Sequence, residues 1–188
     1  MMKGLNFTLL TVTAITLISC GGVSNEPANA DGFSAIEKEL KGEFGDDAYY
    51  TDLSISYDAS IGNMVGTTVT DDPESLKMGE WTFSQGAWNQ TSEITLEVPE
   101  GSEAADFMFQ LGDEINLTKL GELVEESMKE LTAKKDIENP SLSMAFVKFP
   151  DDGDMEKVEY VVMLEPETGG TSYSFYYNLK GELREMDY

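Results

Sequence analysis

Histidine is absent from the 188 residues, and cysteine occurs once, at Cys20. Ser-His-Asp and Cys-His catalysis are thereby excluded, as are zinc sites built from imidazole or paired thiolates. No intramolecular disulfide is possible. Basic residues are also scarce, 12 Lys and Arg against 36 Asp and Glu, which leaves a formal net charge of −24. A surface this acidic repels nucleic acid and anionic lipid headgroups. The chain has no Gly-x-x-x-x-Gly-Lys-Ser phosphate loop and no dinucleotide fingerprint. With 36 acids a close carboxylate pair arises by chance, so such a pair is weak evidence for glycosidase chemistry. The composition points to a protein that is not an enzyme and requires no cofactor. Lacking imidazole, its recognition should not vary between about pH 6 and 8.

A long apolar run is missing too. Leu5 to Ile18 is too short for a membrane span of about 20 residues and is interrupted by Asn6, Thr8, Thr11, Thr13 and Thr16. What remains is Lys3, a short apolar stretch, and Leu17-Ile18-Ser19-Cys20-Gly21. This is the layout of a secretory signal peptide over residues 1–19. Leu17 to Cys20 resembles the lipobox of bacterial lipoproteins, which are cut just before a diacylated cysteine. An ordinary small-residue cut site would instead leave an odd thiol in an exported protein. The resemblance implies a palmitate-labelled anchor at Cys20 and contact with the membrane through the lipid. Gly21 stands where Asp commonly retains lipoproteins in the inner membrane, so the resemblance leans toward the outer membrane. Loss of Lys3 with the signal leaves 11 basic and 36 acidic residues, a net charge of −25.

Residues 20–32 are small and polar without apolar period, and read as a flexible tether. A helix is expected over Ser34–Phe44, with Ser34 and Glu37 as a capping box and Ile36, Leu40 and Phe44 on one face. The period then switches to two: strands are expected near Leu53–Tyr57, Met64–Thr70, Glu80–Ser84 and Ala87–Val98. The second half follows the same plan. Asn116 or Thr118 caps a helix whose stripe is Leu120, Leu123, Val124, Met128 and Leu131, and Lys134 and Lys135 complement the dipole in its last turn. Strands are expected near Leu142–Phe149, Lys157–Leu164, Thr171–Tyr177 and Leu183–Asp187. The fold class is therefore α+β, as two tandem repeats, 33–112 and 113–188, each of one helix plus a four-stranded antiparallel sheet.

The ending Tyr176-Tyr177-Asn178-Leu179-Lys180-Gly181-Glu182-Leu183 resembles the close of repeats in the PepSY-like and β-lactamase-inhibitor-like group. The motif is short, eight of the 188 residues. The resemblance implies binding, inhibition or chaperoning of other envelope proteins, and no family site residue transfers to this chain.

Acid pairs in predicted loops are the candidate partner-binding residues: Asp46 and Asp47, Asp71 and Asp72, Asp151 and Asp152. A basic protein partner suits them, though the same acids would also keep an exported domain soluble. Asp151, Asp152, Asp154 and Glu156 are hard oxygen donors but lack the EF-hand spacing, so no metal site is assigned. Trp81, Trp88, Tyr173, Tyr176 and Tyr177 either fill the core or line a sheet face; Tyr176 and Tyr177, adjacent in one strand, must point to opposite faces. A binding or inhibitory module is expected, the alternatives being an accessory subunit of an envelope complex or a carboxylate enzyme acting on a glycan.

Overall fold

The computed structural model describes residues 22–166 and 169–188, so the signal segment 1–19 and Cys20 lie outside the described residues. The element order is helix, four strands, helix, four strands. Helix α1 spans Ala30–Phe44, followed by β1 Tyr49–Asp58, β2 Gly62–Thr70, β3 Lys77–Ser84 and β4 Ala87–Thr95. Helix α2 spans Leu117–Lys135, followed by β5 Pro140–Lys148, β6 Glu159–Pro166, β7 Tyr173–Asn178 and β8 Leu183–Asp187.

The fold is α+β, but the expected pair of four-stranded sheets is corrected. All eight strands form one antiparallel sheet in the order β4-β3-β2-β1-β5-β6-β7-β8. The first strand of each half would otherwise present an unpaired edge, with N–H and C=O groups lacking partners. Each satisfies the other: Leu53 to Ser56 of β1 lie opposite Val147 to Met144 of β5.

Both helices cover one face of this sheet. Phe33, Ile36 and Leu40 of α1 and Leu117, Leu120, Leu123, Val124 and Leu131 of α2 are at most 1% exposed. Beneath them lie Leu53, Ile55, Val65, Ala145, Tyr160, Val162, Phe175 and Tyr177 in the same cluster. Ser127 interrupts the α2 stripe yet is fully buried; its hydroxyl donates to the Leu123 carbonyl and lies 2.8 Å from the Tyr177 hydroxyl. This pairing satisfies two polar groups that would otherwise be costly to bury. Burial lifts the Tyr177 phenol to about 12.

The first helix starts earlier than the Ser34 capping box indicates. Asn29 is the cap, its side chain accepting from Gly32 N at 2.9 Å. Glu37 serves the other helix instead, accepting from Leu117 N at 2.7 Å, while Asn116 caps α2 through Lys119 N. The expectation of a tether through residue 32 is likewise corrected over the described part. Gly22–Asn25 forms a 3₁₀ turn with Val23 and Ser24 buried. Asn63 of β2 donates to the carbonyls of Val23 at 3.0 Å and Glu26 at 2.7 Å. Small polar residues carry little apolar signal, so an interaction made by backbone carbonyls leaves no trace in a hydrophobic pattern.

Candidate functional site

Strand directions decide where the six acidic candidates go. Tyr49 pairs with Thr70, Lys77 with Thr95, Lys148 with Glu159, and Glu159 with Asn178. Because β1 and β5 are antiparallel, the chain segments entering β1, joining β2 to β3 and joining β5 to β6 all leave the sheet at the same end. Asp46 and Asp47 precede β1, Asp71 and Asp72 follow β2, and Asp151 and Asp152 follow β5, all exposed. The fold thus brings to one end three pairs that stand far apart in sequence.

Local chemistry orders these loops. Asp72 O accepts from Ser75 N and from the Ser75 hydroxyl, closing a 3₁₀ turn. The Asp47 carbonyl accepts from Gln110 Nε2 at 2.8 Å. Asp152 pairs with Lys157, which holds its carboxyl below the usual range and the ammonium above its own. Gly153 adopts φ +69°, and a Cβ there would lie 2.1 Å from the Asp106 carbonyl, so this loop abuts the 104–107 turn. Beside it opens a cleft of about 660 Å³ lined by Asp113, Glu114, Met155, Glu156, Asn178 and Arg184 among others. A second cleft of about 320 Å³, reaching Tyr49, Phe109 and Gln110, shares Asp113, Glu114 and Met155 with it. Arg184 bridges to Glu159 at 3.3 Å and to the Glu156 carbonyl at 2.8 Å. Among the described residues no three His, Cys, Asp or Glu side chains gather closely enough to hold a metal ion.

The aromatics divide between the two faces. Trp81 and Trp88 pack edge-on against Phe44 of α1, with ring centroids 5.5 and 4.9 Å away. Tyr177 lies in the core, whereas Tyr176 projects from the opposite, helix-free face. Part of that face is covered: Met78, Ala104 and Met108 form a second small core with Tyr49, Ile94 and Leu96. The rest is open. Phe146, Val161 and Tyr176 lie side by side across β5, β6 and β7, and Met144 lies beside Met163. Met144 is 37% exposed, while Val161 is buried among its neighbours. Sequence reasoning missed this patch. Its signal is apolar residues at both parities in Phe146-Val147, Val161-Val162-Met163 and Tyr176-Tyr177, the mark of a strand apolar on both faces.

Elsewhere on this face Asp52, Thr68 and Glu80 stand in one row across β1, β2 and β3. Asp52 is exposed at its surface, yet partial desolvation by the surrounding protein, and secondarily the Glu80 carboxylate, raise its carboxyl above the ordinary range. The folded state therefore holds the Asp52 proton more tightly than the unfolded chain. Its ionisation opposes folding above the folded-state pKa, and this opposition fades as pH falls through that value. Because solvent screens an exposed carboxylate, Asp52→Asn is expected to raise the urea midpoint only slightly at pH 7, with the gain shrinking at pH 4. An unchanged or lower midpoint at pH 7 would contradict this account.

No protein-family model matches the chain, and no curated protein matches it. Among solved structures, it is similar to a crystal structure from Clostridium difficile 630 described as a "putative lipoprotein", at TM-score 0.51 and 13% identity. The match covers 90% of this chain and 99% of that one. At this identity the likeness is one of fold. No helix among the described residues is long and apolar enough to cross a membrane.

Proposed function

We propose that this chain is a lipid-anchored, acidic envelope protein, acylated at Cys20, that binds a basic protein partner without catalysing a reaction. The observation that carries the binding reading is the convergence of the Asp46-Asp47, Asp71-Asp72 and Asp151-Asp152 loops on one end of the sheet. Support for the anchor comes from the lipobox resemblance and from the lipoprotein description of the structural neighbour. The Gly21 position favours the outer membrane. The PepSY-like resemblance favours binding over catalysis, and the repeated element order is consistent with a duplicated unit.

Two measurements test this reading. Cys20→Ala is expected to abolish palmitate labelling and release the protein from membranes, since burying acyl chains contributes about 0.8 kcal/mol per CH₂. Retention of both labelling and attachment would reject the anchor. Partner capture from solubilised membranes should weaken steeply as the Debye length falls from about 10 Å at 0.1 M salt to 3 Å at 1 M. Asp151→Asn/Asp152→Asn should flatten that dependence. Capture that ignores both salt and the double variant favours a second reading, an accessory subunit seated through the open apolar patch at Met144 and Tyr176. Met144→Glu would then be the variant that abolishes it.

A further inference from the structure

The anchoring residue and the first packed residue are separated by almost no chain. Gly22 is held at the turn between β3 and β4: a Cβ placed on it would lie 3.3 Å from Phe83 Cζ and 3.8 Å from Gly86 Cα. The following residues are fixed to the turn between β1 and β2. A Cβ on Gly62 would lie 2.0 Å from the Ser24 carbonyl oxygen, and Val23 is only 6% exposed. The Asn63 amide clamps this segment through the Val23 and Glu26 carbonyls. These two turns occupy the end of the sheet opposite the acidic loops, because β1 runs from the acidic end at Tyr49 to the turn end at Asp58.

From Cys20 to Gly22 the chain reaches at most about 7 Å, whatever its conformation. The ten residues of β1 separate the two ends by about 30 Å. Resting on the reading that Cys20 carries lipid, we infer that the domain has a fixed orientation on the bilayer. The turns Asp58–Gly62 and Ser84–Ala87 form its lipid-facing surface, and the acidic loops point away from the membrane. Lys135 stacks over the Tyr188 ring at 4.0 Å, just beyond the end of β8, which places the last turn of α2 at the lipid-facing end. An acidic surface held about 30 Å from anionic headgroups is spared their repulsion. Its partner then approaches from the surrounding compartment and not along the membrane plane.

The test uses the lipidated full-length protein in phosphatidylcholine vesicles containing a nitroxide-headgroup lipid. The thiol of Cys20 is consumed by the lipid, so one added cysteine can be labelled uniquely with a fluorophore. Ala59→Cys reports the turn end; Glu74→Cys and Asp151→Cys report the far end in the two halves. All three sites are exposed. Quenching of the Ala59→Cys label is expected to exceed that of the other two severalfold. Inserting twelve Gly and Ser residues between Gly21 and Gly22 should erase the contrast. Equal quenching at all three sites in vesicle-bound protein, or a contrast that survives the insertion, overturns the orientation while leaving the anchor intact. Failure of the lipidated protein to bind vesicles at all overturns the anchor and the orientation together.

Discussion

Expressed separately, residues 22–112 and 113–188 are expected to remain unfolded, and to recover native structure only on mixing. Each fragment contains a helix and four strands, the number of elements usual for a small independent unit. Neither is closed. Cutting the chain exposes the paired edges of β1 and β5 at the centre of the sheet, from Leu53 to Ser56 and from Met144 to Val147. It also strips α1 from α2, which share one core and are linked by the bond from Leu117 N to Glu37. A fragment would expose roughly half a core together with a long unpaired edge, the combination that favours aggregation. Far-UV circular dichroism and amide spectra of each fragment provide the check. The intact chain should unfold in one transition, seen alike by tryptophan fluorescence from the first half and by the far-UV signal. A cooperatively folded 22–112 fragment would show that the halves are separate domains.

Gly121→Val is expected to cost about 3 kcal/mol, near the upper end of ordinary overpacking. Gly121 lies where α2 crosses the start of α1. A Cβ there would lie 2.5 Å from the Asn29 carbonyl oxygen and 2.8 Å from Ala30 Cα. Both obstacles are backbone, so no side chain can rotate away and the helices must separate. Even Gly121→Ala should destabilise, although Gly to Ala in a helix interior otherwise gains about 1 kcal/mol. Gly42 in α1 supplies the contrast, being exposed with nothing within 4 Å of an added Cβ. Gly42→Ala should therefore stabilise by about 0.5–1 kcal/mol. Urea unfolding at pH 7 measures all three. Opposite signs for the two alanine variants are the required result; a stabilising Gly121→Ala would mean the helices do not meet there.

Local structure was largely legible because it depends on neighbours in sequence. The period of Leu120, Leu123, Val124 and Leu131 marks a helix face, and the turn residues at Asp58–Asn63 and Asn178–Gly181 mark hairpins whatever surrounds them. The Ser34–Glu37 pair misled for a related reason. A capping box is a local pattern, but Glu37 is used across space by Leu117, 80 residues on. The acidic loops could be read as exposed, since Asp-rich turns favour the surface. That the Asp151-Asp152 loop joins the other two at one end could not, because it depends on β1 and β5 running antiparallel. The open patch at Met144, Phe146 and Tyr176 was hidden because hydrophobicity records that a side chain prefers burial, not whether anything covers it.

The sequence by itself determined the element order, the acidic character, and the lack of imidazole or thiolate chemistry. These follow from composition and from contacts within a few residues. Tertiary structure alone decided that the two meanders merge into one sheet, that the two helices meet at Gly121, and that residues 22–26 are clamped by Asn63 instead of forming a tether. Each of these rests on backbone edges, carbonyls or the missing side chain of a glycine. Such groups are nearly the same at every position of the chain, so only their placement in space reveals which of them meet.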